Sequence, residues 1–231
     1  MRTKTCQGWI AQAITVSLCL CPPCFAFPAK DAQSPTQPPF PVGNKVGLEF
    51  SKTAEYRKEF DAAINGAYEA IEDFLSRKKK GEQLGRPAVI SDLDETLLDN
   101  REHFEKEPHF SWPAFEAWIK EARAPVLKKT ARMLSWARKK GVAIFFVTGR
   151  HEGLRADTIA NLIHEQVAYD GLLMRSAHDE RSASQVKTPL REEVEKMGFV
   201  IVVNIGDQFS DLAGGHAIDC EKLPNRIYFV E

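Results

Sequence analysis

Two aspartates stand two positions apart, directly after a short apolar run. Asp92 and Asp94 follow Ala88-Val89-Ile90. In an extended chain, side chains at positions i and i+2 point to the same side, so the two carboxylates repel each other and a hard cation relieves that repulsion. The pair suits phosphoryl transfer: Asp92 attacks phosphorus and forms an aspartyl-phosphate, while Asp94 protonates the leaving oxygen and then activates water. We therefore interpret Asp92 and Asp94 as candidate catalytic residues.

A second group of residues offers ligands for a phosphate. Thr148 and Gly149 follow the apolar run 142–147, and Lys187 stands at the start of a later helical pattern. The Thr148 hydroxyl and the adjacent backbone N–H groups, with Gly149 among them, suit phosphate oxygens. Lys187 neutralises the charge that phosphate and Asp92 bring together. These three residues are the candidate phosphate-binding residues.

Two further aspartates, Asp207 and Asp211, follow the fourth apolar run. Oxygen ligands favour Mg²⁺, which uses few carboxylates and keeps several waters. Asp92, the backbone carbonyl of Asp94 and Asp207 form such a ligand set. Asp211 lies one helical turn after Asp207, where it can hold a metal-bound water or orient Lys187.

Other polar residues near these positions are expected to support the site rather than to contact substrate. Asp99 and Asn100 follow the first motif, where they can stabilise the turn, and Glu95 is expected to be structural. Arg150 and Arg191 can pair with acidic neighbours or steer anions, and we favour structural roles for both.

The candidate residues lie at the ends of apolar runs that alternate with amphipathic stretches. Runs rich in β-branched and aromatic residues indicate strands buried on both faces, and strands that alternate with helices predict an α/β, doubly wound parallel sheet. Ligands bind such a sheet outside the carboxyl ends of its strands, where residues distant in sequence converge. The predicted strands lie at 88–90, 142–147, 172–174, 199–203 and 227–230, and the helices between them at 126–140, 153–166 and 189–197.

Two features are added to this alternation. An N-terminal helix is predicted over about 51–80, because apolar residues recur at spacings of three and four and a basic run followed by Gly81 suits its C-terminus. A small helical insert, residues 100–124, follows the first strand, with Ser111 at a predicted helix start. Its aromatic residues can line a substrate pocket or pack on the core, and His103 is the best pocket candidate among the histidines.

The N-terminus has the pattern of a secretory signal peptide rather than of a membrane anchor. A basic start precedes an uncharged apolar stretch that prolines end early. We predict that residues 1–26 are removed, that 27–45 form a proline-rich lead-in, and that 46–231 form one folded domain. The protein is then secreted or periplasmic. Lipoprotein anchoring is less favoured, because large residues precede the candidate cysteines.

Charge and cysteine content limit the function classes. The 231 residues carry a formal net charge of −1, which gives no electrostatic reason to bind a nucleic-acid polymer. After removal of the leader only Cys220 remains, so the mature domain forms no internal disulfide. Its stability then comes from core packing and from any bound metal.

Four motifs, in order along the chain, resemble those of the haloacid-dehalogenase-like (HAD) superfamily. They are Asp92-x-Asp94-x-Thr96, Thr148, Lys187 and Asp207-x-x-x-Asp211. The longer string 91–100 is more specific and resembles class C (non-specific) bacterial acid phosphatases and related plant acid phosphatases, as do Thr148-Gly149-Arg150 and Lys187-x-x-x-Arg191. The similarity covers roughly residues 48–231.

This resemblance implies a Rossmann-like fold of the HAD type, a periplasmic or surface location, Mg²⁺, and hydrolysis of small phosphomonoesters, nucleotides among them, at acidic pH. Two other functions stay open: a storage or binding protein with weak or no catalysis on the same fold, and a phosphotransferase, which differs only in the acceptor. The presence of Asp92 speaks against the first. No stable membrane span is expected, and extra apolar surface on the N-terminal helix permits a homodimer.

Overall fold

The computed structural model describes residues 35–107 and 109–231. Its five strands are β1 (Arg86–Ser91), β2 (Ala143–His151), β3 (Gly171–Arg175), β4 (Phe199–Gly206) and β5 (Asp219–Lys222). All neighbouring strands pair in parallel, in the order β3-β2-β1-β4-β5. The chain first runs outward through β2 and β3 and then returns to the other side of β1. The reversal between β1 and β4 is where such sheets bind ligands.

Helices cover both faces of the sheet, as the predicted doubly wound fold requires. They are α1 (Asn44–Ser51), α2 (Ala54–Lys79), α3 (Arg101–Lys106), α4 (Trp112–Lys120), α5 (Lys128–Lys139), α6 (Arg155–His164), α7 (Ala183–Lys196) and α8 (Phe209–Leu212). Alternate residues of β1 serve the two faces. Val89 joins the core beneath α2 and α5, whereas Ala88 and Ile90 join the core beneath α7. The fold class is therefore confirmed.

The N-terminal helix predicted over 51–80 is observed as α2, and the short helix α1 before it was not predicted. Thr53 caps α2, because its hydroxyl accepts a hydrogen bond from the backbone N–H of Tyr56 at 3.1 Å. Gly81 follows with a φ of 95°, which glycine adopts without a steric penalty. The apolar stripe of α2 is buried in the domain's own core. The surface that suggested a homodimer is thus covered, and the dimer stays a prediction.

The predicted fifth strand, 227–230, is wrong. The structure places β5 at Asp219–Lys222, while residues 227–230 form an irregular segment. Side chains satisfy its backbone: Ile227 N–H donates to Asn225 and Val230 N–H donates to Gln208. An apolar run indicates that a segment is buried. The backbone groups of a buried segment need hydrogen-bond partners, but these need not come from a neighbouring strand. Conversely, β5 is a short edge strand of mostly polar residues, which apolar patterning does not detect.

The insert after β1 contains α3 and α4, as predicted. Ser111 lies at the N-cap of α4, but its side chain makes no capping hydrogen bond. The rings of His103, Phe104 and Trp118 belong to a buried aromatic cluster. His103 is therefore buried inside the insert. In the described part of the chain, no helix is both long enough and apolar enough to cross a membrane. The predicted leader, 1–26, and residues 27–34 of the lead-in lie outside the described residues.

Candidate active site

Asp92 lies immediately after β1 and is buried, with 6% of its surface exposed. Its backbone N–H donates to the carbonyl of Ile205 in β4 at 3.0 Å, which continues the sheet by one residue. The chain then turns sharply, because the N–H groups of Leu97 and Leu98 both donate to the carbonyl of Leu93. This turn keeps the Asp92 side chain at the carboxyl edge of the sheet, between β2 and β4.

Lys187 reaches this edge from α7. A capping box at Ser182 starts the helix at Ala183. Lys187 therefore lies within the helix, whereas the sequence pattern had predicted it at the helix start. Its ammonium donates to Oδ1 of Asp92 at 2.6 Å and to Oδ1 of Asp211 at 2.5 Å. Burial works against the charge, yet the two carboxylates raise the pKa of Lys187 above its usual value. The cation is held between the proposed nucleophile and Asp211.

Three carboxylates converge beside this lysine. Asp92, Asp207 and Asp211 are all buried, and one oxygen of each lies within 4.8 Å of the others. Burial and the carboxylates of Asp211, Asp207 and Asp94 raise the pKa of Asp92 well above its usual value, although Lys187 opposes the shift. Burial and Asp211 raise the pKa of Asp207 to about 6. This excess of acidic oxygens fits a hard divalent cation.

Asp207 is fixed by neutral donors from three parts of the chain. Its Oδ1 accepts from the Thr96 hydroxyl at 3.1 Å, and its Oδ2 accepts from Gln208 at 2.7 Å and Asn225 at 2.6 Å. Thr96 is the last residue of the first motif, and its hydrogen bond to Asp207 links that motif to the fourth one. Asn225 was missed, because nothing in its sequence surroundings marks a polar residue that points into the site.

The side chain of Asp94 turns away from the three clustered carboxylates. It accepts from Arg150 Nε at 3.0 Å, from a terminal nitrogen of Arg150 at 2.6 Å, and from Asn100 Nδ2 at 3.0 Å. The predicted metal ligand at this position was the backbone carbonyl, and that assignment stays a prediction. Arg150 was expected to pair with an acidic neighbour. The structure identifies that neighbour as the proposed acid–base residue.

Thr148 and Gly149 lie in the last part of β2, beside the end of β1. The register pairs Ser91 with Phe146, so Thr148 lies one residue beyond the level of Asp92. Thr148 is fully buried, and its hydroxyl accepts from the backbone N–H of Arg150 at 3.1 Å. A Cβ at Gly149 would meet no atom within 4 Å. The backbone here faces open space that a ligand can enter.

Residues 34–231 match the family model described as HAD superfamily, subfamily IIIB (acid phosphatase). The chain belongs to this family. The resemblance drawn from the four motifs is therefore confirmed.

Individual relatives agree with this membership of subfamily IIIB. Acid phosphatase 1 of Solanum lycopersicum is 33% identical over 153 residues, which are 63% of this chain and 60% of that protein. The stem 28 kDa glycoprotein of Glycine max is 28% identical over 194 residues, 79% of this chain and 73% of the relative. The chain thus spans less than two thirds of the tomato protein.

A solved structure shares the fold of this HAD subfamily IIIB chain. The class C acid phosphatase from Bacillus anthracis, crystallised with tungstate bound, superposes with a TM-score of 0.61 at 22% identity. The superposition covers 80% of this chain and 85% of that one. At this identity, the likeness establishes the common fold alone.

The subfamily IIIB site also contains an acidic residue with a constrained backbone. Glu95, between Asp94 and Thr96, has a φ of 53°, which is uncommon outside glycine. Its carboxyl group accepts from the hydroxyl of Tyr228 at 2.6 Å and from the backbone N–H of Asn100 at 3.0 Å. Burial raises the pKa of Glu95 well above its usual value. Glu95 thereby links the loop after β1 to the irregular segment 227–230, which the sequence pattern had assigned to a strand.

Proposed function

We propose that this chain is a secreted, magnesium-dependent acid phosphatase that hydrolyses small phosphomonoesters, nucleotides among them, through an aspartyl-phosphate on Asp92. The observation that carries the proposal is the ion triad Asp92–Lys187–Asp211. It holds a buried carboxylate beside a cation, at the switch point of a doubly wound sheet. The acid phosphatase name of the family and of the tomato relative supports it.

In the first step, a carboxylate oxygen of Asp92 forms a bond to phosphorus and the bond to the leaving oxygen breaks. The leaving oxygen keeps the electron pair and takes a proton from the Asp94 carboxyl group. Lys187 stays beside Asp92, and Thr148 with the backbone at Gly149 binds the phosphate oxygens. The products are the free alcohol and an aspartyl-phosphate.

In the second step, water attacks the same phosphorus and gives a proton to Asp94. The bond between phosphorus and the Asp92 oxygen breaks, which regenerates the carboxylate and releases inorganic phosphate. Asp92, the backbone carbonyl of Asp94 and Asp207 would hold Mg²⁺, and Asp211 would hold a metal-bound water or orient Lys187. A bound divalent ion supplies charge neutralisation for the phosphate and the clustered carboxylates.

Secretion is part of the proposal and rests on the leader predicted at residues 1–26. The single remaining cysteine, Cys220, is partly buried, and burial raises the pKa of its thiol to about 11. The folded domain therefore exposes no reactive thiolate to an oxidising compartment. N-terminal sequencing of the exported protein tests the predicted cleavage after Ala26.

The test of activity uses the purified chain from residue 27. Phosphate release from p-nitrophenyl phosphate is measured between acid and neutral pH, after removal of metal and again with added Mg²⁺ or Ca²⁺. We expect release with Mg²⁺, most rapid at acidic pH, and none after chelation. Absence of release at every pH and with every metal would contradict the proposal. It would favour a storage role, which the names of vegetative storage proteins among the relatives suggest.

A phosphotransferase differs from this hydrolase only in the group that attacks the aspartyl-phosphate. Adding an alcohol or a nucleoside to the same assay separates the two activities. A hydrolase forms equal amounts of alcohol product and inorganic phosphate, whereas transfer produces a new phosphomonoester at the expense of phosphate.

A further inference from the structure

The carboxylate of Asp94 is held from two sides. Arg150 contacts both of its oxygens, Nε to Oδ2 at 3.0 Å and a terminal nitrogen to Oδ1 at 2.6 Å. Asn100 donates a third hydrogen bond to Oδ1 at 3.0 Å. The Arg150 side chain is only 1% exposed, so water scarcely competes for these bonds. A planar guanidinium bound through two nitrogens sets the plane of a carboxylate as well as its distance.

The residues that hold Asp94 are themselves fixed. The second terminal nitrogen of Arg150 donates to the hydroxyl of Thr158 in α6 at 3.2 Å, and its backbone N–H donates to the hydroxyl of Thr148 at 3.1 Å. Both threonines are fully buried. On the other side, Asn100 accepts a hydrogen bond from the indole N–H of Trp118 at 2.8 Å. Sheet, helix and insert thus combine to fix one carboxylate.

The identity of the residue that Arg150 holds distinguishes this contact from an ordinary structural ion pair. By joining β2 to α6, the Arg150 guanidinium would stabilise the fold whichever acidic residue it paired with. Here the partner is the residue that must reach the leaving oxygen, and Arg150 follows directly after the proposed phosphate-binding residues Thr148 and Gly149. One short segment therefore sets the relative position of the phosphate and of its proton donor.

We propose that Arg150 is a positioning residue that aims Asp94 at the leaving oxygen of the substrate, an inference that rests on the proposed phosphatase function. The position of Asp94 matters most for substrates whose leaving oxygen must be protonated before it departs. An alkoxide is a strong base and leaves only when protonated, whereas p-nitrophenolate leaves without help. Arg150 therefore makes the enzyme able to cleave phosphate esters of ordinary alcohols, and it matters less for activated aryl phosphates.

The test compares two substrates in the magnesium-loaded protein, p-nitrophenyl phosphate and an alkyl phosphate such as glycerol phosphate. The value of kcat/KM is used because it reports steps only through formation of the aspartyl-phosphate. The variant Arg150→Lys keeps the charge and loses the paired contact. We expect kcat/KM for the alkyl phosphate to fall about tenfold or more beyond the fall for the aryl phosphate.

Arg191→Lys is the matched control. Arg191 is also fully buried, but it donates to backbone carbonyls, that of Asp211 among them, and does not contact Asp94. It should reduce kcat/KM equally for both substrates. If Arg150→Lys does not fold, as judged by circular dichroism, Thr158→Val loosens Arg150 while sparing Asp94. That variant should show the same substrate dependence at about threefold.

Equal losses on both substrates in a folded Arg150 or Thr158 variant would overturn the inference and leave Arg150 a structural residue. Unchanged kinetics in both would overturn it as well. Failure of the proposed function is distinct, because the unmodified protein would then release no phosphate from either substrate.

Discussion

The ammonium of Lys187 lies 2.6 Å from Oδ1 of Asp92, although 95 residues separate them along the chain. The same nitrogen lies 2.5 Å from Asp211. A buried charge is tolerated only when it is paired, so each member of the triad depends on the others. Stability and chemistry are therefore coupled at this position.

Replacing Lys187 with methionine keeps the side-chain volume and leaves Asp92 and Asp211 buried without their cation. Breaking a buried pair costs about 3–5 kcal/mol, which in a domain of this size lowers Tm by roughly 10 °C. Burial already raises the pKa of the Asp92 carboxyl group in the folded state, and loss of the opposing lysine raises it further above the unfolded value. The loss of stability in the variant is therefore largest at high pH, and it disappears as the pH falls towards the pKa of the unfolded state.

Thermal melting in metal-free buffer at pH 8 and pH 5 measures this effect, and the Tm difference from the unmodified protein should shrink at the lower pH. Lys196→Met is the control, because Lys196 pairs with Glu192 on the surface and is 72% exposed. A Tm difference that is equal at both pH values would show that the triad is not what the lysine stabilises.

Replacing Asp92 with asparagine removes the proposed nucleophile. Turnover should fall by at least about 10³-fold, while Tm changes by no more than a few degrees. Burial raises the pKa of the Asp92 carboxyl group, so a neutral amide of the same shape is well accommodated. Phosphate release and thermal melting are measured together. Asp61→Asn, on the surface of α2, serves as control, and retained turnover in Asp92→Asn would place the nucleophile elsewhere.

Binding of Mg²⁺ should weaken as the solution becomes acidic. Burial and Asp211 raise the pKa of Asp207 to about 6, and a carboxylate must lose its proton to bind a metal. Protonation of Asp207 should therefore lower the affinity by about tenfold per unit below that pH. Calorimetric titration with Mg²⁺ from pH 5 to 8 measures this dependence. Asp207→Asn should remove it together with most of the affinity, and an affinity that is independent of pH would contradict the ligand assignment.

Glu221 predicts a pH effect on stability outside the site. It lies on β5 against α2, close to Gly66, where a Cβ would collide with its carboxyl group. Burial, assisted by Asp219 and Glu69, raises its pKa from 4.5 to about 8. Between these two values the folded state binds the extra proton, so stability decreases as pH rises through this window.

Glu221→Gln should abolish this decline. Its Tm should match that of the unmodified protein near pH 4.5 and exceed it near pH 8. Glu72→Gln, on the exposed side of α2, is the matched control and should leave the decline in place. A Tm profile for Glu221→Gln that parallels the unmodified protein across the window would refute the assignment.

The family and the order of the site residues could be predicted from the sequence. Apolar runs followed by Asp92, Thr148 and Asp207 reflect a rule of parallel sheets: residues at the carboxyl ends of strands meet at one edge. Residues next to α2 in sequence also determine where this helix begins and ends, through the N-cap Thr53 and through Gly81. These features depend on near neighbours in sequence or on the order of the strands, and both can be recognised in the sequence itself.

Other features were decided only by the tertiary structure. Apolar patterning assigned a strand to 227–230 and missed the polar edge strand β5 at Asp219–Lys222, because a pattern records burial and not hydrogen-bond partners. It also left open which acidic residue Arg150 would pair with, and did not detect Asn225 at all. These contacts join residues 56 and 18 positions apart. A polar side chain that will be buried far from its neighbours in sequence looks like a surface residue until the fold brings its partner to it.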